Sequence, residues 1–198
     1  MVATPVDTQN KIDNMEAFST LSNVFKEGVM AELKGSKTER GLLEAFAGES
    51  QANRKYLAFA EKADQEGYTA VAKLFRAAAA AETVHAHAHL RALGGIRTTK
   101  DNLREAYSGE THEFTSMYPQ MIEDAVEEGF DTAHRGFRFA NAVEKVHAAL
   151  YQKAIENLDQ NVEVDYYVCK VCGNTIEGIP HGPCAVCQAL PAAFFKVD

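Results

Sequence analysis

An internal repeat of two helical segments constrains the fold of this chain more than any other feature. Each copy contains a Gly-Glu-Ser or Gly-Glu-Thr motif, followed on a second helix by Glu-x-x-His. The acids and histidines are Glu49, Glu82 and His85 in the first copy and Glu110, Glu144 and His147 in the second. Their first and second acids are 33 and 34 residues apart, so the second copy holds one extra residue. We place it between Glu110 and Tyr118, where it predicts a π-bulge.

Apolar periodicity and end signals predict four long helices. The predicted helices run from Ser36 to Gly67, from Thr69 to Gly94, from Thr98 to Gly129 and from Asp131 to about Leu158. Ser36 with Glu39 and Thr98 with Asp101 are expected to form N-terminal capping pairs, and Asp131 is expected to cap the fourth helix. Glycines after the first three helices are typical helix-terminating residues.

These elements divide the chain into a helical domain and a small cysteine module. We assign residues 36–158 to a four-helix bundle, residues 159–165 to a linker and residues 166–198 to the cysteine module. Residues 1–35 form an N-terminal extension. Its apolar residues at helical spacing predict a short amphipathic helix, and they are Phe18, Leu21, Phe25 and Val29.

The net charge and the apolar pattern of the chain limit the kinds of partner that it can bind. With 198 residues, 46% of them hydrophobic, the chain can build a core, and its net charge of −8 argues against nucleic acid or an anionic membrane as the main partner. The sequence has no apolar run long enough to cross a membrane and no secretory signal pattern at its start. We therefore expect a cytoplasmic protein that binds neither nucleic acid nor membrane.

Ionisable side chains interrupt the inward face of the predicted helices at one height. Glu49 on the first helix, Glu82 on the second and Glu144 on the fourth lie among apolar residues of the same stripe. So many buried carboxylates would oppose folding unless cations neutralised their negative charge. The Glu-x-x-His spacing places an acid and an imidazole on one helix face, a pattern used by carboxylate-bridged di-iron sites in ferritin-like bundles. Oxygen ligands with two imidazoles favour iron or manganese.

All four cysteines lie in two CxxC pairs near the end of the chain, and they are Cys169, Cys172, Cys184 and Cys187. Such clustering in a reducing compartment indicates a tetrahedral metal site rather than a disulfide framework. Zinc ribbons and rubredoxin-like iron sites use the same spacing, so the cysteines alone leave both metals open. A redox-active di-iron site on the same chain favours iron, because that site needs electrons.

From residue 33 to residue 198 the chain resembles the rubrerythrin family, including its nigerythrin branch. The motifs that carry the resemblance are FAGESQANRKY, AETVHA, SGETHEFTSMYP, AVEKVH, CKVCG and CAVC. The resemblance implies a mainly α, ferritin-like four-helix bundle with a rubredoxin-like iron module. It also implies the iron ligands Glu49, Glu82, Glu110, Glu144 and His147, with Glu82 and Glu144 bridging. Glu113 and His85 would alternate on one iron, and Tyr56 and Tyr118 would orient carboxylates by hydrogen bonds.

The same resemblance implies a peroxidase that reduces hydrogen peroxide to water at the di-iron site. Electrons would pass from the iron on the four cysteines, which an NADH-dependent flavoprotein or a separate rubredoxin would reduce. Two alternatives remain at this point. One is a ferritin-like ferroxidase or iron-storage protein, and the other is a non-catalytic bundle with a zinc ribbon.

The link between the second and third helices is short for a single-chain bundle. In the ferritin-like arrangement these helices run parallel, so the link must span a gap on the order of 35 Å, given about 1.5 Å of rise per residue. The roughly six residues available reach only about 24 Å when extended. We therefore predict a domain-swapped homodimer in which each metal pair is shared between two chains.

Overall fold

The structure is a computed structural model that describes residues 32–197 of the chain. Its helices are α1 (Lys37–Gln65), α2 (Thr69–Ala92), α3 (Thr99–His112), α4 (Tyr118–Glu127) and α5 (Asp131–Glu156), with a π-helix at Glu113–Met117 between α3 and α4. Short 3-10 helices lie at Leu158–Gln160 and Pro191–Ala193. The four predicted helical segments are confirmed. The amphipathic helix predicted around Phe18 to Val29 lies outside the described residues.

The helix starts follow the predicted capping chemistry with one exception. The Ser36 hydroxyl accepts a hydrogen bond from the Glu39 amide at 3.0 Å, and the Thr98 hydroxyl accepts one from the Asp101 amide at 3.2 Å. Asp131, however, is the first helical residue of α5, and Phe130 takes the capping position. The expectation that Asp131 caps α5 is therefore wrong.

The exception at Asp131 follows from the tight turn that ends α4. Gly129 takes a left-handed conformation with φ of 76°, and the Phe130 amide then donates to the Ala125 carbonyl at 2.9 Å. Phe130 therefore closes one helix and precedes the next, which leaves no separate capping residue. The first copy of the repeat uses the same turn, with the Tyr68 amide donating to the Ala63 carbonyl at 2.8 Å.

The chain divides into two compact units, of which the first ends at Gly95 and the second begins at Ile96. In the first unit α1 packs along α2, with Ala60, Ala63 and Ala72 buried at their interface and Phe75 packed against them. Small alanine side chains allow the two helix backbones to approach closely. Buried Asn53 donates to the Ala79 carbonyl at 2.6 Å and so joins α1 to α2.

In the second unit α3 and α4 pack on α5, which also contacts the cysteine module. The module holds a three-stranded antiparallel sheet of order β2-β1-β3, with β1 at Tyr166–Cys169, β2 at Thr175–Glu177 and β3 at Phe194–Lys196. In the register, Tyr167 lies opposite Ile176 of β2 and Lys196 of β3. None of the helices within residues 32–197 has an apolar stretch that could span a bilayer.

The π-helix confirms the position predicted for the extra residue of the second copy. It occupies Glu113–Met117, between Glu110 and Tyr118. A π-helical turn holds about one residue more than an α-helical turn. The extra residue of the second copy therefore fits without breaking the helix. The bulge therefore begins three residues after the first acid of the second copy.

Candidate metal centres

The first unit brings Glu49 of α1 together with Glu82 and His85 of α2. One ligand atom from each of the three side chains lies within 4.8 Å of the others. Nδ1 of His85 lies 2.9 Å from Oε2 of Glu82 and 4.0 Å from Oε1 of Glu49. The spacing of three residues puts Glu82 and His85 on one face of α2. We call this group the first triad.

The second unit repeats the arrangement with Glu110 of α3 and with Glu144 and His147 of α5. Nδ1 of His147 lies 2.8 Å from Oε2 of Glu144 and 3.7 Å from Oε2 of Glu110. Here too the ligand atoms lie within 4.8 Å of one another. This group is the second triad. It is the more enclosed of the two, since the His147 side chain is 27% exposed and that of His85 is 54% exposed.

The electrostatics of the second triad favour a bound cation. Burial, and then the facing carboxyl of Glu144, raises the pKa of Glu110 above its usual range, while His147 acts in the opposite direction. Two acids held this close repel each other when both are ionised. A divalent cation removes that repulsion and uses the same oxygen and nitrogen donors, which suit iron.

The four cysteines converge in the module, and all of them are free. Their sulfur atoms lie within 4.8 Å of one another, with Sγ of Cys169 3.7 Å from Sγ of Cys187 and Sγ of Cys172 3.6 Å from Sγ of Cys184. A disulfide needs about 2.05 Å, whereas a tetrahedron with metal–sulfur bonds of about 2.3 Å has edges of roughly 3.8 Å. The cluster therefore has the dimensions of a tetrathiolate metal site.

Each CxxC pair lies in a tight turn closed by a backbone hydrogen bond. The Gly173 amide donates to the Cys169 carbonyl at 2.8 Å, and the Gln188 amide donates to the Cys184 carbonyl at 2.9 Å. Both residues after the turns have positive φ, 81° at Gly173 and 62° at Gln188. Burial raises the pKa of the Cys172 thiol, so an isolated thiolate is disfavoured there and a metal cation is needed to stabilise it.

Comparison with known proteins decides the family. The rubrerythrin family profile matches residues 41–155. The chain is 36% identical to rubrerythrin of Porphyromonas gingivalis, over 83% of this chain and 91% of that protein. The family is shown by both matches. The chain belongs to the rubrerythrin family.

Other members of the rubrerythrin family match a larger share of the chain than the family profile does. Rubrerythrin-1 of Clostridium acetobutylicum is 34% identical over 85% of this chain and 97% of its own length. Nigerythrin of Nitratidesulfovibrio vulgaris is 31% identical over 85% of this chain and 91% of its own length. The solved structure of fully reduced, all-ferrous nigerythrin is similar with a TM-score of 0.51 at 31% identity, covering 86% of this chain and 92% of that one.

Membership of the rubrerythrin family confirms the fold class and the metals. The chain is a mainly helical, ferritin-like protein with a rubredoxin-like module, and its cofactors are a di-iron pair and one iron on four cysteines. The family consists of oxidoreductases of the peroxidase type that act in oxidative stress. The donor sets on this chain fit those cofactors, since they comprise carboxylates with imidazoles in the helices and thiolates in the module.

Six of the seven ligands predicted for the di-iron site lie in the two triads. Glu113, the seventh, lies in the π-helix three residues after Glu110 and is not among the side chains of the second triad. Its charge nevertheless reaches the same region. Burial, then the carboxylates of Glu144 and Glu113, raise the pKa of Tyr118. The predicted role of Glu113 as a ligand therefore stays a prediction.

Two residues near the second triad were absent from the predicted site. Tyr151 lines a cavity of about 410 Å³ together with Glu110 and His147, and burial followed by the charge of Glu110 raises its pKa. A signal for Tyr151 was present, because it lies four residues after His147 on the same helix face. Thr175 of β2 hydrogen-bonds His147 from the cysteine module. No local pattern in the sequence pointed to that residue.

Proposed function

We propose that this protein reduces hydrogen peroxide to water at a di-iron centre held by the two triads and Glu113. The observation that supports this most strongly is the repetition of one donor geometry in both units. In each triad a histidine Nδ1 lies within 3 Å of the glutamate three residues earlier and about 4 Å from a glutamate on another helix. The proposed ligands are Glu49, Glu82, His85, Glu110, Glu113, Glu144 and His147.

The protein's own residues would bind the iron, orient the peroxide and supply protons to it. Iron, when bound, supplies Lewis acidity and the electrons that cleave the O–O bond. The reaction takes up two electrons and two protons for each peroxide and releases two water molecules. The Tyr118 and Tyr151 phenols are protonated at neutral pH, since the pKa of a phenol is ordinarily about 10 and burial and the neighbouring carboxylates raise it further. Each Oη can therefore donate a hydrogen bond to an oxygen atom beside the second triad.

We propose that electrons reach the second triad from the cysteine module of the same unit. Two contacts join that module to α5: the hydrogen bond between Thr175 and His147, and an ion pair between Lys153 and Glu177. The hydrogen bond gives a short path for one-electron transfer from the module to a proposed iron ligand, and the ion pair holds the same strand against α5. The resemblance to the family adds the external donor, an NADH-dependent flavoprotein or a separate rubredoxin.

Stopped-flow mixing of the fully reduced protein tests the proposed reaction. We expect hydrogen peroxide to oxidise the di-iron centre faster than dioxygen does at equal concentration. The variant Glu144→Ala should lose this fast phase, whereas Glu123→Gln, at an exposed position of α4, should keep it. Faster oxidation by dioxygen, with iron accumulating beyond the bound ions, would instead support a ferroxidase.

The predicted swapped homodimer remains part of this proposal. Each unit offers one Glu-Glu-His triad, and only residues 93–98 connect α2 to α3. Several large apolar side chains of the first unit are exposed in the single chain, as a surface awaiting a second copy would be. They are Leu43 (53% exposed), Phe59 (47%), Val71 (44%), Leu74 (68%) and Val84 (63%).

Mixed dimers test the swap directly. Glu82→Ala damages the first triad and Glu144→Ala damages the second, and the two variants can be co-expressed with different affinity tags. In a swapped dimer, one of the two centres in the mixed species combines both undamaged triads. We therefore expect half of the wild-type peroxidase activity from the mixed dimer and almost none from either pure variant. An inactive mixed dimer would show that each chain builds its own centre.

A further inference from the structure

One side chain of the cysteine module reaches a histidine of the second triad. Nε2 of His147 lies 3.0 Å from Oγ1 of Thr175, which is 28 residues away along the chain. Nδ1 of the same ring faces Oε2 of Glu144 at 2.8 Å. Both ring nitrogens therefore have partners in defined directions, one in the triad and one in the module.

The hydrogen bonds around Thr175 indicate which ring nitrogen of His147 carries the proton. The Thr175 hydroxyl donates its only proton to the Gly173 carbonyl at 3.2 Å. Its lone pairs can then accept a hydrogen bond from Nε2–H of His147. With the proton held on Nε2, Nδ1 presents its lone pair toward the carboxylates, which is the form that a metal ion requires.

Thr175 is itself held against α5 on both sides of its strand. Two residues further along β2, Glu177 forms an ion pair with Lys153 of α5. Before the strand, Gly173 lies near Val143 of α5, close enough for an added Cβ to touch that side chain at 3.9 Å. The hydroxyl therefore sits on a strand anchored to the same helix as His147.

Among the residues that the structure describes, the equivalent histidine of the first triad has no such partner. His85 makes the same contact through Nδ1, at 2.9 Å from Glu82. Within residues 32–197, however, no hydrogen bond holds its Nε2 atom, and its side chain is 54% exposed against 27% for His147. The sequence repeat makes the two histidines equivalent, and the structure makes them different.

We propose that Thr175 is a positioning residue that sets the ring orientation and tautomer of His147, a constraint that His85 lacks within residues 32–197. The inference rests on the proposal that His147 binds iron. It does not depend on which oxidant the centre reduces. The cysteine module thus has a structural role at the di-iron site in addition to carrying an iron of its own.

The test compares Thr175→Val, which keeps the shape but removes the hydroxyl, with Thr175→Ser, which keeps the hydroxyl. Thr132→Val, at an exposed position of α5, is the matched control. The full chain is loaded with Zn²⁺ as a diamagnetic probe, and its imidazole N–H signals are recorded by ¹⁵N-resolved NMR. We expect one slowly exchanging Nε2–H signal in the wild type, Thr175→Ser and Thr132→Val, and its loss in Thr175→Val. His147→Gln assigns the signal.

Chelator competition gives a second readout on the same samples. Loss of a hydrogen bond to a ligating histidine typically weakens metal binding roughly 10- to 100-fold, so Thr175→Val should release one metal ion at correspondingly lower chelator concentration. Thr175→Ser should restore the wild-type curve. The signals of His85 should be the same in all variants.

Three outcomes overturn the inference. The first is a wild-type protein without a protected Nε2–H on His147, a result that needs no variant to fold. The second is a Thr175→Val protein with wild-type exchange and metal affinity, and the third is a Thr175→Ser protein as impaired as Thr175→Val. If His147→Gln leaves the metal content unchanged, the proposed ligand set itself fails, which is distinguishable from all three.

Discussion

Replacing Glu110 by glutamine should stabilise the metal-free protein and weaken the metal-loaded one. In the metal-free second triad, Glu110 and Glu144 face each other with ligand atoms within 4.8 Å. Glutamine has nearly the same shape as glutamate but carries no charge, so it removes the repulsion. It also removes a carboxylate that a cation would bind. The two effects have opposite signs, and a purely structural role for Glu110 predicts no such reversal.

The size of the effect follows from the separation and exposure of the two carboxylates. At the upper limit of 4.8 Å for the separation of their ligand atoms, two unit charges repel by about 3.5 kcal/mol at an effective dielectric constant of about 20. The Glu110 and Glu144 side chains are 20% and 16% exposed, and His147 lies between them, so water and the imidazole offset much of this. We expect a net gain of about 1 kcal/mol, which raises the Tm of a chain of this size by about 2–4 °C.

The pH dependence of this gain has a defined sign. The pKa of Glu110 is raised in the folded state, chiefly by burial and then by Glu144, above a reference value of 4.5. The folded protein therefore binds this proton more tightly than the unfolded chain does. The stabilisation that results is present below pH 4.5 and is lost as the pH rises through the folded-state pKa. The advantage of Glu110→Gln should accordingly grow from mildly acidic to neutral pH.

Thermal unfolding followed by circular dichroism, with and without Fe²⁺ under anaerobic conditions, measures both halves of the prediction. Glu123→Gln removes an exposed acid from α4 and should change the free energy of unfolding by less than about 0.5 kcal/mol in either state. With Fe²⁺ present the wild type should gain stability and Glu110→Gln should gain less. A metal-free Glu110→Gln protein less stable than the wild type at neutral pH would refute the reasoning.

Three further changes test other parts of the structure. Asn53→Ala removes the donor to the Ala79 carbonyl between α1 and α2, and should cost about 1–3 kcal/mol of unfolding free energy in urea titration, without altering the visible spectrum of the tetrathiolate iron. Cys172→Ser should abolish the red colour of the ferric tetrathiolate while elemental analysis still finds iron in the helical domain; unchanged colour would exclude this cysteine as a ligand. Deleting Thr115 should convert the π-helix to α-helix and turn α3 by about 100° relative to α4, so that iron binding by Glu110 is lost while the helical circular dichroism remains.

Most of the site was predictable because its ligands follow helical periodicity. Glu82 with His85 and Glu144 with His147 share a helix face at a spacing of three residues, whatever the tertiary packing. The position of the π-helix could also be predicted, since an extra residue in one of two copies must lie between residues that match in both. The cysteine cluster followed from the CxxC spacing in the same way. All of these are local relations along the chain.

The expectation at Asp131 failed because of competing local roles. The residues that were missed depend on contacts with groups far away along the chain. Asp131 has the right residue type for a helix cap, but the turn after Gly129 uses Phe130 for two purposes and moves the helix start by one residue. Thr175 is an ordinary strand residue until the module folds against α5. The spacing of Tyr151 from His147 was a signal in the sequence, but its proximity to Glu110 became visible only in the cavity that the two residues share.

The amino-acid sequence by itself determined which residue types could bind metal, and on which helix faces they lie, because helical geometry relates residues three and four apart without reference to the rest of the chain. Only the tertiary structure decided that the histidines of the two copies have different surroundings, since Thr175 contacts His147 and the side chain of His85 is more exposed. That difference arises from one hydrogen bond between residues 28 positions apart, and such a contact depends on how β2 of the module packs on α5.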